Sequence, residues 1–186
     1  LMRQDPDIIM VGEVRDRDTA ETAVQAALTG HLVLSTLHTN DAPTAVTRLL
    51  DLGVPPYLLS STLLGVMAQR LVRKLCPHCK KPTDPPDDET WRALTAPWRA
   101  DKPETIMAPA GCLECRMTGY YGRIGLYEIM LMTPALRKLV THDADDRAIR
   151  EQAYKDGMKP LRVSGAMKVA AGVTTADEVV KVAPLG

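Results

Sequence analysis

Four cysteines stand in two short pairs, Cys76-x-x-Cys79 and Cys112-x-x-Cys115, and this spacing is the most specific chemical signal in the chain. Two such pairs can surround one zinc ion with four thiolates, because each tight turn points both of its sulfurs into the same volume. All four positions would then be filled, which predicts a structural zinc site. The alternatives are two disulfides, a thioredoxin-like redox pair, and a zinc site in which His78 replaces one thiolate.

A carboxylate, Glu13, follows the apolar run from Ile8 to Val11. A continuous apolar run of this length is typical of a strand that is buried on both faces of a parallel sheet. In folds that hydrolyse nucleotides, an acid at the carboxyl end of such a strand meets magnesium or the attacking water. The plainer alternative is a carboxylate that only pairs with Arg15.

Two histidines, His31 and His38, flank the next apolar run. They are roughly 23 Å apart if the chain between them is extended at about 3.3 Å per residue, so they cannot share one metal ion. If the two strands are parallel, Glu13 and His38 emerge at the same carboxyl edge, where ligands bind in open α/β sheets. His38 is therefore the candidate to face a phosphate, and the alternative for His31 is that it fixes a helix-to-strand turn.

The elements that position these residues alternate between strand and helix. Asp18 with Glu21 predicts the start of a helix, and Gly30 predicts its end. Another mostly apolar strand is predicted over residues 32–37. Strand, helix and strand within about 30 residues form a βαβ unit, so we expect its two strands to be parallel.

Helical spacing predicts a further helix that begins at residues 40–41 and a longer helix over residues 56–74. Arg70, Arg73 and Lys74 would lie in the last turns of the longer helix, where they interact favourably with the helix dipole. The alternative is contact with a neighbouring subunit or with nucleotide. Arg70 is the residue of this group that we assign to nucleotide binding.

The composition changes at Cys76, where a segment rich in proline and charged residues begins and runs to about Trp98. This composition predicts a loop-rich insertion. A strand follows over residues 124–130, and helix start and stop signals then predict three or four short helices. The fold class is therefore α/β. We divide the chain into three consecutive segments: 1–75, 76–130 and 131–186.

The charge balance is neutral, with 23 basic and 23 acidic side chains. Binding to nucleic acid needs a basic excess or a basic patch, so nucleic acid is not expected as a partner, and a DNA-binding zinc ribbon is disfavoured. No apolar stretch approaches the roughly 20 residues of a membrane span, and no signal peptide is recognisable. The dipeptide Gly-Lys occurs nowhere, so the chain contains no P-loop of the form G-x-x-x-x-G-K-[ST].

Three motifs resemble those of one family, the secretion ATPases that drive type II secretion and type IV pili. The string "LMRQDPDIIMVGEVRD" resembles the Walker B signature of that family, and "TGHLVLSTLHTND" resembles its histidine box. The strings "LLGVMAQRLVRKLCPHC" and "GCLECRMTGYYGRIGLYEIM" resemble the section that carries its zinc-binding tetracysteine motif. The tetracysteine motif favours secretion and assembly motors over retraction motors. "LLSSTLLGVMAQRLVR" is more similar to the type II secretion motor than to the pilus assembly motor.

The resemblance implies the second half of a RecA-like P-loop NTPase domain, followed by a zinc-binding insertion and a small helical C-terminal subdomain. Glu13 would be the Walker B acid and act through Mg²⁺, His38 would contact the γ-phosphate of ATP, and His31 would be the other histidine of that box. Zn²⁺ would be held by the four cysteines. The P-loop and an acidic box would lie upstream, so we expect this chain alone to be inactive.

The same resemblance implies a homo-oligomer, a hexameric ring at the cytoplasmic face of the inner membrane. The ring would associate with the membrane through platform proteins rather than through a span of its own. ATP hydrolysis would then power pseudopilus assembly and protein export. Two alternatives are a type IV pilus assembly ATPase and a truncated, non-catalytic zinc-binding docking module.

Overall fold

The computed structural model describes residues 6–184 and forms two compact units, each built from two stretches of sequence. The first unit combines the described part of residues 1–67 with residues 129–158, and the second combines residues 68–128 with the described part of 159–186. The residues that open the Walker B-like string, 1–5, lie outside the described residues. The division into three consecutive segments stays a prediction.

The first unit begins with the predicted strand, helix and strand. Strands β1 (Ile8–Val11) and β2 (Leu32–Ser35) pair in parallel and flank helix α1 (Arg17–Leu28). Asp16, rather than Asp18, caps this helix, because its Oδ1 accepts a hydrogen bond from the backbone N–H of Thr19 at 2.9 Å. The predicted βαβ unit is confirmed, although β2 is shorter than the predicted span of 32–37.

One face of the β1–β2 pair is exposed, which contradicts the prediction of a strand buried on both faces. Ile8 is 58% exposed and Met10 is 72% exposed. Their partners across the pair, Leu32 and Leu34, are exposed as well. Alternate residues of paired strands point to the same side, so these four side chains share one face. No element within residues 6–184 buries that face.

In the described part of the first unit, four further helices follow: α2 (Ala42–Asp51), α3 (Pro56–Thr62), α5 (Pro134–Leu139) and α6 (Asp146–Lys155). Asp41 caps α2, and its position agrees with the predicted start at residues 40–41. The buried side chains of these helices are aliphatic and mostly small. They include Ala42, Ala45, Val46, Leu59, Leu136, Ile149 and Ala153.

Two long strands, β3 (Gly65–Leu75) and β6 (Tyr120–Leu131), pair with each other. They are antiparallel, because the backbone N–H of Met132 donates to Leu64 O at 3.0 Å and that of Cys76 donates to Gly119 O at 2.9 Å. The predicted strand over 124–130 lies inside β6.

The remaining elements belong to the second unit: β4 (Lys81–Thr83), α4 (Asp88–Thr95), β5 (Ile106–Ala108), α7 (Leu161–Ala170) and α8 (Ala176–Val182). Strands β4 and β5 pair antiparallel, so the segment predicted to be loop-rich contains a strand and a helix. One hydrophobic cluster joins α4, β5, α7 and α8 to β3 and β6. Its buried members are Val72, Trp91, Leu94, Ile106, Leu126, Leu161, Ala166, Val169 and Val179.

The predicted long helix over 56–74 is wrong. Helix α3 ends at Thr62, and β3 begins at Gly65. The burial of β3 alternates with a period of two, since Val66, Ala68 and the following even-numbered positions up to residue 72 are less exposed than their neighbours. Pairing with β6 thus overrides the local helical spacing. Gly65 permits the pairing, because a Cβ atom there would lie 2.9 Å from the carbonyl oxygen of Met130.

Arg70, Arg73 and Lys74 therefore lie on strand β3, and their predicted interaction with a helix dipole is wrong. The short helices predicted for the end of the chain are confirmed. Thr133, Asp145 and Thr175 cap the first, second and last of them with side-chain oxygens. Among residues 6–184, none of the helices has both the length and the apolar composition of a membrane span.

A buried carboxylate ties β3 to α8 in the second unit. The side chain of Glu178 is 7% exposed. Its oxygens accept hydrogen bonds from the Arg73 guanidinium at 2.7 and 3.0 Å and from the Lys181 ammonium at 2.8 Å. Arg73 also lies 4.0 Å from the ring centre of Tyr120. The hydrogen bonds from Arg73 outweigh burial and, with Lys181, lower the pKa of Glu178 to about 2.

This carboxylate predicts a pH-dependent contribution to stability. The pKa of Glu178 is lower in the folded chain than its ordinary value, so the contribution is present above pH 4.5 and declines as the pH falls toward 2. At pH 7, Glu178→Gln should lower the free energy of unfolding by on the order of 3 kcal/mol. Urea unfolding of both proteins between pH 7 and pH 2.5 measures this difference, which should shrink steadily below pH 4.5.

Glu151→Gln is the matched control, because Glu151 pairs with Arg147 on the exposed surface of α6. It should change stability by less than about 0.5 kcal/mol at every pH. A difference for Glu178→Gln that stays constant from pH 7 to pH 2.5 would show that the charge of Glu178 is not what stabilises the fold.

Candidate functional site

Glu13 and His38 meet at the carboxyl edge of the parallel β1–β2 pair. The Nε2 atom of His38 lies 3.1 Å from one oxygen of Glu13. The other oxygen accepts two hydrogen bonds from Arg15, from Nε at 2.6 Å and from Nη2 at 2.5 Å. Glu13 is 20% exposed and His38 is 89% exposed. The structure therefore brings together an anchored carboxylate and an accessible imidazole, as the strand order predicted.

Two hydrogen bonds hold the segments that carry these residues side by side. The backbone N–H of Val14 donates to Thr36 O at 2.9 Å. The hydroxyl of Thr36 donates to Gly12 O at 2.7 Å. The segment after β1 is thus fixed to the segment after β2, one residue before and one residue after Glu13. This arrangement continues the parallel register beyond the last strand residues.

The charge state of Glu13 follows from its neighbours. The hydrogen bonds from Arg15 have the largest effect on the pKa of Glu13 and lower it. Partial burial acts in the opposite direction, and the charges of Arg15 and His38 lower the pKa further. Glu13 is therefore ionised at neutral pH. A carboxylate in this state can bind a divalent cation or accept a hydrogen bond from a water in the cation's shell.

His31 lies at the opposite edge, before the first residue of β2. Its Nδ1 atom is 3.0 Å from the carbonyl oxygen of Ala26 and 3.0 Å from the hydroxyl of Thr29, both at the end of α1. Its backbone N–H also donates to Ala26 O at 3.2 Å. These contacts are those of a histidine that fixes a helix-to-strand turn. The structure does not bring His31 to Glu13, and its assignment to catalysis stays a prediction.

Arg70 is half-buried on strand β3, in the second unit. Its Nη1 atom donates to the carbonyl oxygen of Gln69 at 2.9 Å. Its assignment to nucleotide binding stays a prediction.

The four cysteines form one cluster at the end of the β3–β6 pair. Their sulfur atoms all lie within 4.8 Å of one another. The Sγ–Sγ distances are 3.9 Å for Cys76 and Cys112, 3.8 Å for Cys79 and Cys115, and 3.8 Å for Cys112 and Cys115. A disulfide needs about 2.05 Å, and all four cysteines are free. The disulfide alternative therefore does not describe this structure.

The cluster has the dimensions of a tetrahedral metal site. Zinc–sulfur bonds of about 2.3 Å place neighbouring sulfurs about 3.8 Å apart in a tetrahedron, close to the distances between these sulfurs. Three backbone N–H groups also point at the sulfurs, from Gly111 to Cys79 at 3.3 Å and from Cys112 and Gly119 to Cys115 at 3.2 Å each. These four residues could hold a metal ion. His78 is exposed and does not belong to the cluster.

The N–H groups of Cys112 and Gly119 favour the thiolate form of Cys115. Burial opposes ionisation of the Cys115 thiol. Hydrogen bonds from the backbone of Cys112 and Gly119, and from the thiols of Cys112 and Cys79, outweigh burial and lower the pKa of Cys115 to about 6. At Cys112 a hydrogen bond with the Cys115 backbone favours the thiolate, but burial and hydrogen bonds with the other three thiols outweigh it and raise the pKa of Cys112 to about 11. The thiolate is the form that binds metals, so Cys115 is prepared for an ion and Cys112 is not.

Two residues that support the Glu13–His38 edge, Thr36 and Arg150, were not predicted from the sequence. Thr36 follows the last residue of β2, but the strand predicted over residues 32–37 places it inside the strand, so its hydrogen bond to Gly12 O was not apparent from the sequence. Arg150 binds Asp41, the cap of α2, from a distance of 109 residues in sequence. No local pattern points to a contact of that range.

The known proteins that this chain resembles are secretion-system and pilus-assembly proteins. A family described as Type II/IV secretion system protein matches residues 1–181. The chain is 58% identical over 185 residues to the type IV pilus assembly ATPase TfpB of Acinetobacter baylyi, covering 100% of this chain and 32% of that protein. It is 50% identical over 182 residues to type II secretion system protein E of Pseudomonas aeruginosa, covering 98% and 36%. The chain thus spans about a third of the length of these relatives.

Solved structures agree with this set. The pilus retraction motor PilT, solved with bound ADP, has a TM-score of 0.63 and 26% identity, over 98% of this chain and 41% of its own. The ATPase DotB of Yersinia pseudotuberculosis has a TM-score of 0.65 over 100% of this chain and 39% of its own. At 20% identity, DotB supports the fold alone.

The pairing at the strand edge predicts a measurable effect of Arg15. Because the hydrogen bonds from Arg15 contribute most to the shift, Arg15→Gln should raise the pKa of Glu13 toward its ordinary value. Carbon-13 NMR of the Glu13 carboxyl during a pH titration measures this pKa. Arg17→Gln is the matched control, because Arg17 binds Glu21 on α1 instead. An equal pKa for Glu13 in wild type and Arg15→Gln would contradict the geometry.

Proposed function

The chain belongs to the Type II/IV secretion system protein family. From this membership we propose that the chain is part of a secretion or pilus-assembly ATPase. It would be the part that supplies the Walker B acid. The resemblance found in the sequence is confirmed, since the family match extends over residues 1–181. The activity of the whole protein is a proposal, because the chain spans about a third of the relatives.

The contact between Glu13 and His38 is the observation that carries this proposal. An ionised carboxylate and an exposed imidazole lie 3.1 Å apart at the carboxyl edge of two parallel strands. Ligands of open α/β sheets bind at this edge. The two residues also stand in the strings that resemble the Walker B signature and the histidine box. The position and the chemistry of Glu13 and His38 therefore both support a role in binding the metal and the phosphate of a nucleotide.

The proposed reaction is transfer of the γ-phosphoryl group of ATP to water, in which positioning and stabilisation of charge do most of the work. Glu13 is ionised, and Arg15 fixes one of its oxygens, so the carboxylate can hold magnesium or a water of its shell in a set direction. Magnesium, when bound, neutralises charge on the phosphate oxygens. The Nε2 atom of His38 faces Glu13, so a phosphate oxygen would receive its hydrogen bond from Nδ1–H of the doubly protonated ring, whose side chain is accessible.

One group that this reaction needs, a phosphate-binding loop, has no matching motif in the sequence. No G-x-x-x-x-G-K-[ST] string occurs among the 186 residues, so no phosphate cradle of that type is available within them. We expect the 186 residues by themselves not to hydrolyse ATP. Arg70 and His31 are proposed as further members of the nucleotide site, on the basis of the sequence alone.

The working assembly is proposed to be a homo-oligomer, a hexameric ring at the cytoplasmic face of the inner membrane that contacts platform proteins. Two export systems remain alternatives. The sequence motifs favour type II secretion, whereas the 58% identity to a type IV pilus assembly ATPase favours pilus assembly. A non-catalytic docking module is the alternative from another functional class.

The four cysteines are proposed to hold one structural zinc ion. All four ligand positions would be filled by sulfur, so this ion would have no open place for substrate. The ion would join the loop after β3 to the loop before β6, because each loop supplies two of the four sulfurs. Its proposed role is to stiffen the end of the β3–β6 pair, and the chemistry of ATP hydrolysis does not depend on it directly.

A chimaera tests the role of Glu13. This chain would replace the matching third of TfpB of Acinetobacter baylyi, to which it is 58% identical. The chimaera should hydrolyse ATP, and Glu13→Gln should lower its kcat by about 100-fold or more, because the carboxylate that orients the cation is lost. A coupled assay of ADP release measures kcat and KM.

Glu21→Gln on the exposed face of α1 is the control, and its kcat should match that of the parent chimaera. Normal turnover by the Glu13→Gln chimaera would refute the Walker B assignment. A chimaera that folds and assembles but hydrolyses no ATP would contradict the proposed function as a whole and favour the docking module.

Zinc content and thermal stability test the metal site. The purified chain should contain one zinc ion by mass spectrometry or elemental analysis, and chelation should lower its Tm by at least about 5 °C. Cys112→Ser should lose the ion and show the lower Tm without chelation. His78→Ala should keep both the ion and the Tm. Equal Tm values with and without chelator would show that the cysteines have no structural metal role.

A further inference from the structure

We propose that Arg150 is a positioning residue for the nucleotide edge. In this inference Arg150 on α6 holds, through Asp41, the loop that presents His38 to Glu13. Its meaning for catalysis rests on the proposed function, whereas the contact itself does not. The first observation is a salt bridge of 2.7 Å from Arg150 Nη2 to Asp41 Oδ2, which joins α6 to the start of α2 within the first unit.

Asp41 uses its two oxygens for two different tasks. Its Oδ1 caps α2, accepting from the backbone N–H of Thr44 at 3.0 Å and from the Thr44 hydroxyl at 2.6 Å. Its Oδ2 binds Arg150. The carbonyl oxygen of Asp41 also accepts from the hydroxyl of Thr39 at 3.0 Å. The cap, the loop before it and α6 are therefore joined at one residue.

His38 stands three residues before Asp41, in a loop whose two ends are held by named contacts. At the front end, Thr36 bonds to Gly12 beside β1. At the rear end, Asp41 bonds to α2 and to Arg150. The His38 side chain is 89% exposed, so packing does not hold it in place. Its distance to Glu13 therefore depends on where the two ends of the loop are held.

A second hydrogen bond fixes the position of α6 against α2. The hydroxyl of Thr47, in the middle of α2, donates to Asp146 Oδ1 at 2.6 Å. The side chains of Arg150 and Asp41 are 35% and 25% exposed, so water screens their attraction only in part. Arg147 on the same helix is 84% exposed and binds only Glu151, four residues along α6, among the contacts described for its side chain. Arg147 is the matched control.

The first test needs no ATP and uses the 186-residue chain. Nitrogen-15 NMR records the imidazole signals of His38 with and without Glu13→Gln, and their change reports the contact between these two residues. Arg150→Ala should abolish most of this change, and Arg147→Ala should preserve it. Asp41→Asn should act like Arg150→Ala, because asparagine caps a helix almost as well as aspartate but offers Arg150 no charge. Arg150→Lys should restore part of the change.

The second test uses the TfpB chimaera and separates positioning from simple loss of structure. Arg150→Ala should lower kcat about fivefold or more, with KM changed less than twofold. In the His38→Ala background, Arg150→Ala should have no further effect, because Arg150 acts through His38. A purely structural role would lower kcat equally in both backgrounds. Arg147→Ala should leave kcat and KM at the parent values.

The outcomes distinguish this inference from the proposed function. An NMR response of His38 to Glu13→Gln that persists in Arg150→Ala would overturn the inference, whatever the turnover. Additive losses of kcat in the double variant would also overturn it. If His38→Ala leaves turnover unchanged, the proposed catalytic role of His38 fails, while a lost NMR response in Arg150→Ala would still establish the positioning contact.

Discussion

The parallel register of β1 on β2 is the constraint on which the candidate site depends. It places the residues after both strands at one edge, and Thr36 and Val14 continue the pairing beyond the strands with two hydrogen bonds. A shift of one residue would turn the side chains of one strand to the other face and separate Glu13 from His38. The ionised Glu13, with Arg15 on one oxygen and His38 on the other, is the direct consequence of this register.

Elements that are distant in sequence maintain the geometry of each unit. In the first unit, α6 reaches back to the cap of α2 through Arg150, so residues near the end of the chain support the loop of His38. In the second unit, Glu178 on α8 receives the guanidinium of Arg73 from β3. Both are ion pairs between helices of the last third of the chain and elements of the first half. Their partial burial makes them stronger than exposed pairs on a single helix.

The sequence allowed the βαβ unit, the four cysteines and the Glu13–His38 edge to be predicted, because each is local or follows from strand order. The sequence led to a wrong prediction at residues 56–74, where apolar side chains at helical spacing favoured one long helix instead of α3 followed by β3. Only the pairing with β6, more than 40 residues later, makes residues 65–75 a strand. Arg150 was missed for the same reason, since its contact with Asp41 leaves no local pattern. The expected burial of β1 failed because no described element packs on the face of Ile8 and Met10.

We propose that the Glu13 edge receives the metal and the phosphate of ATP. The most direct measurement is the anomalous signal of Mn²⁺ in crystals of the ATP-hydrolysing chimaera, grown with a non-hydrolysable ATP analogue. We expect manganese within about 5 Å of the Glu13 carboxylate, bound directly or through one water, and a terminal phosphate oxygen within about 3.2 Å of His38. Manganese and analogue bound at a place remote from Glu13 and His38 would contradict it.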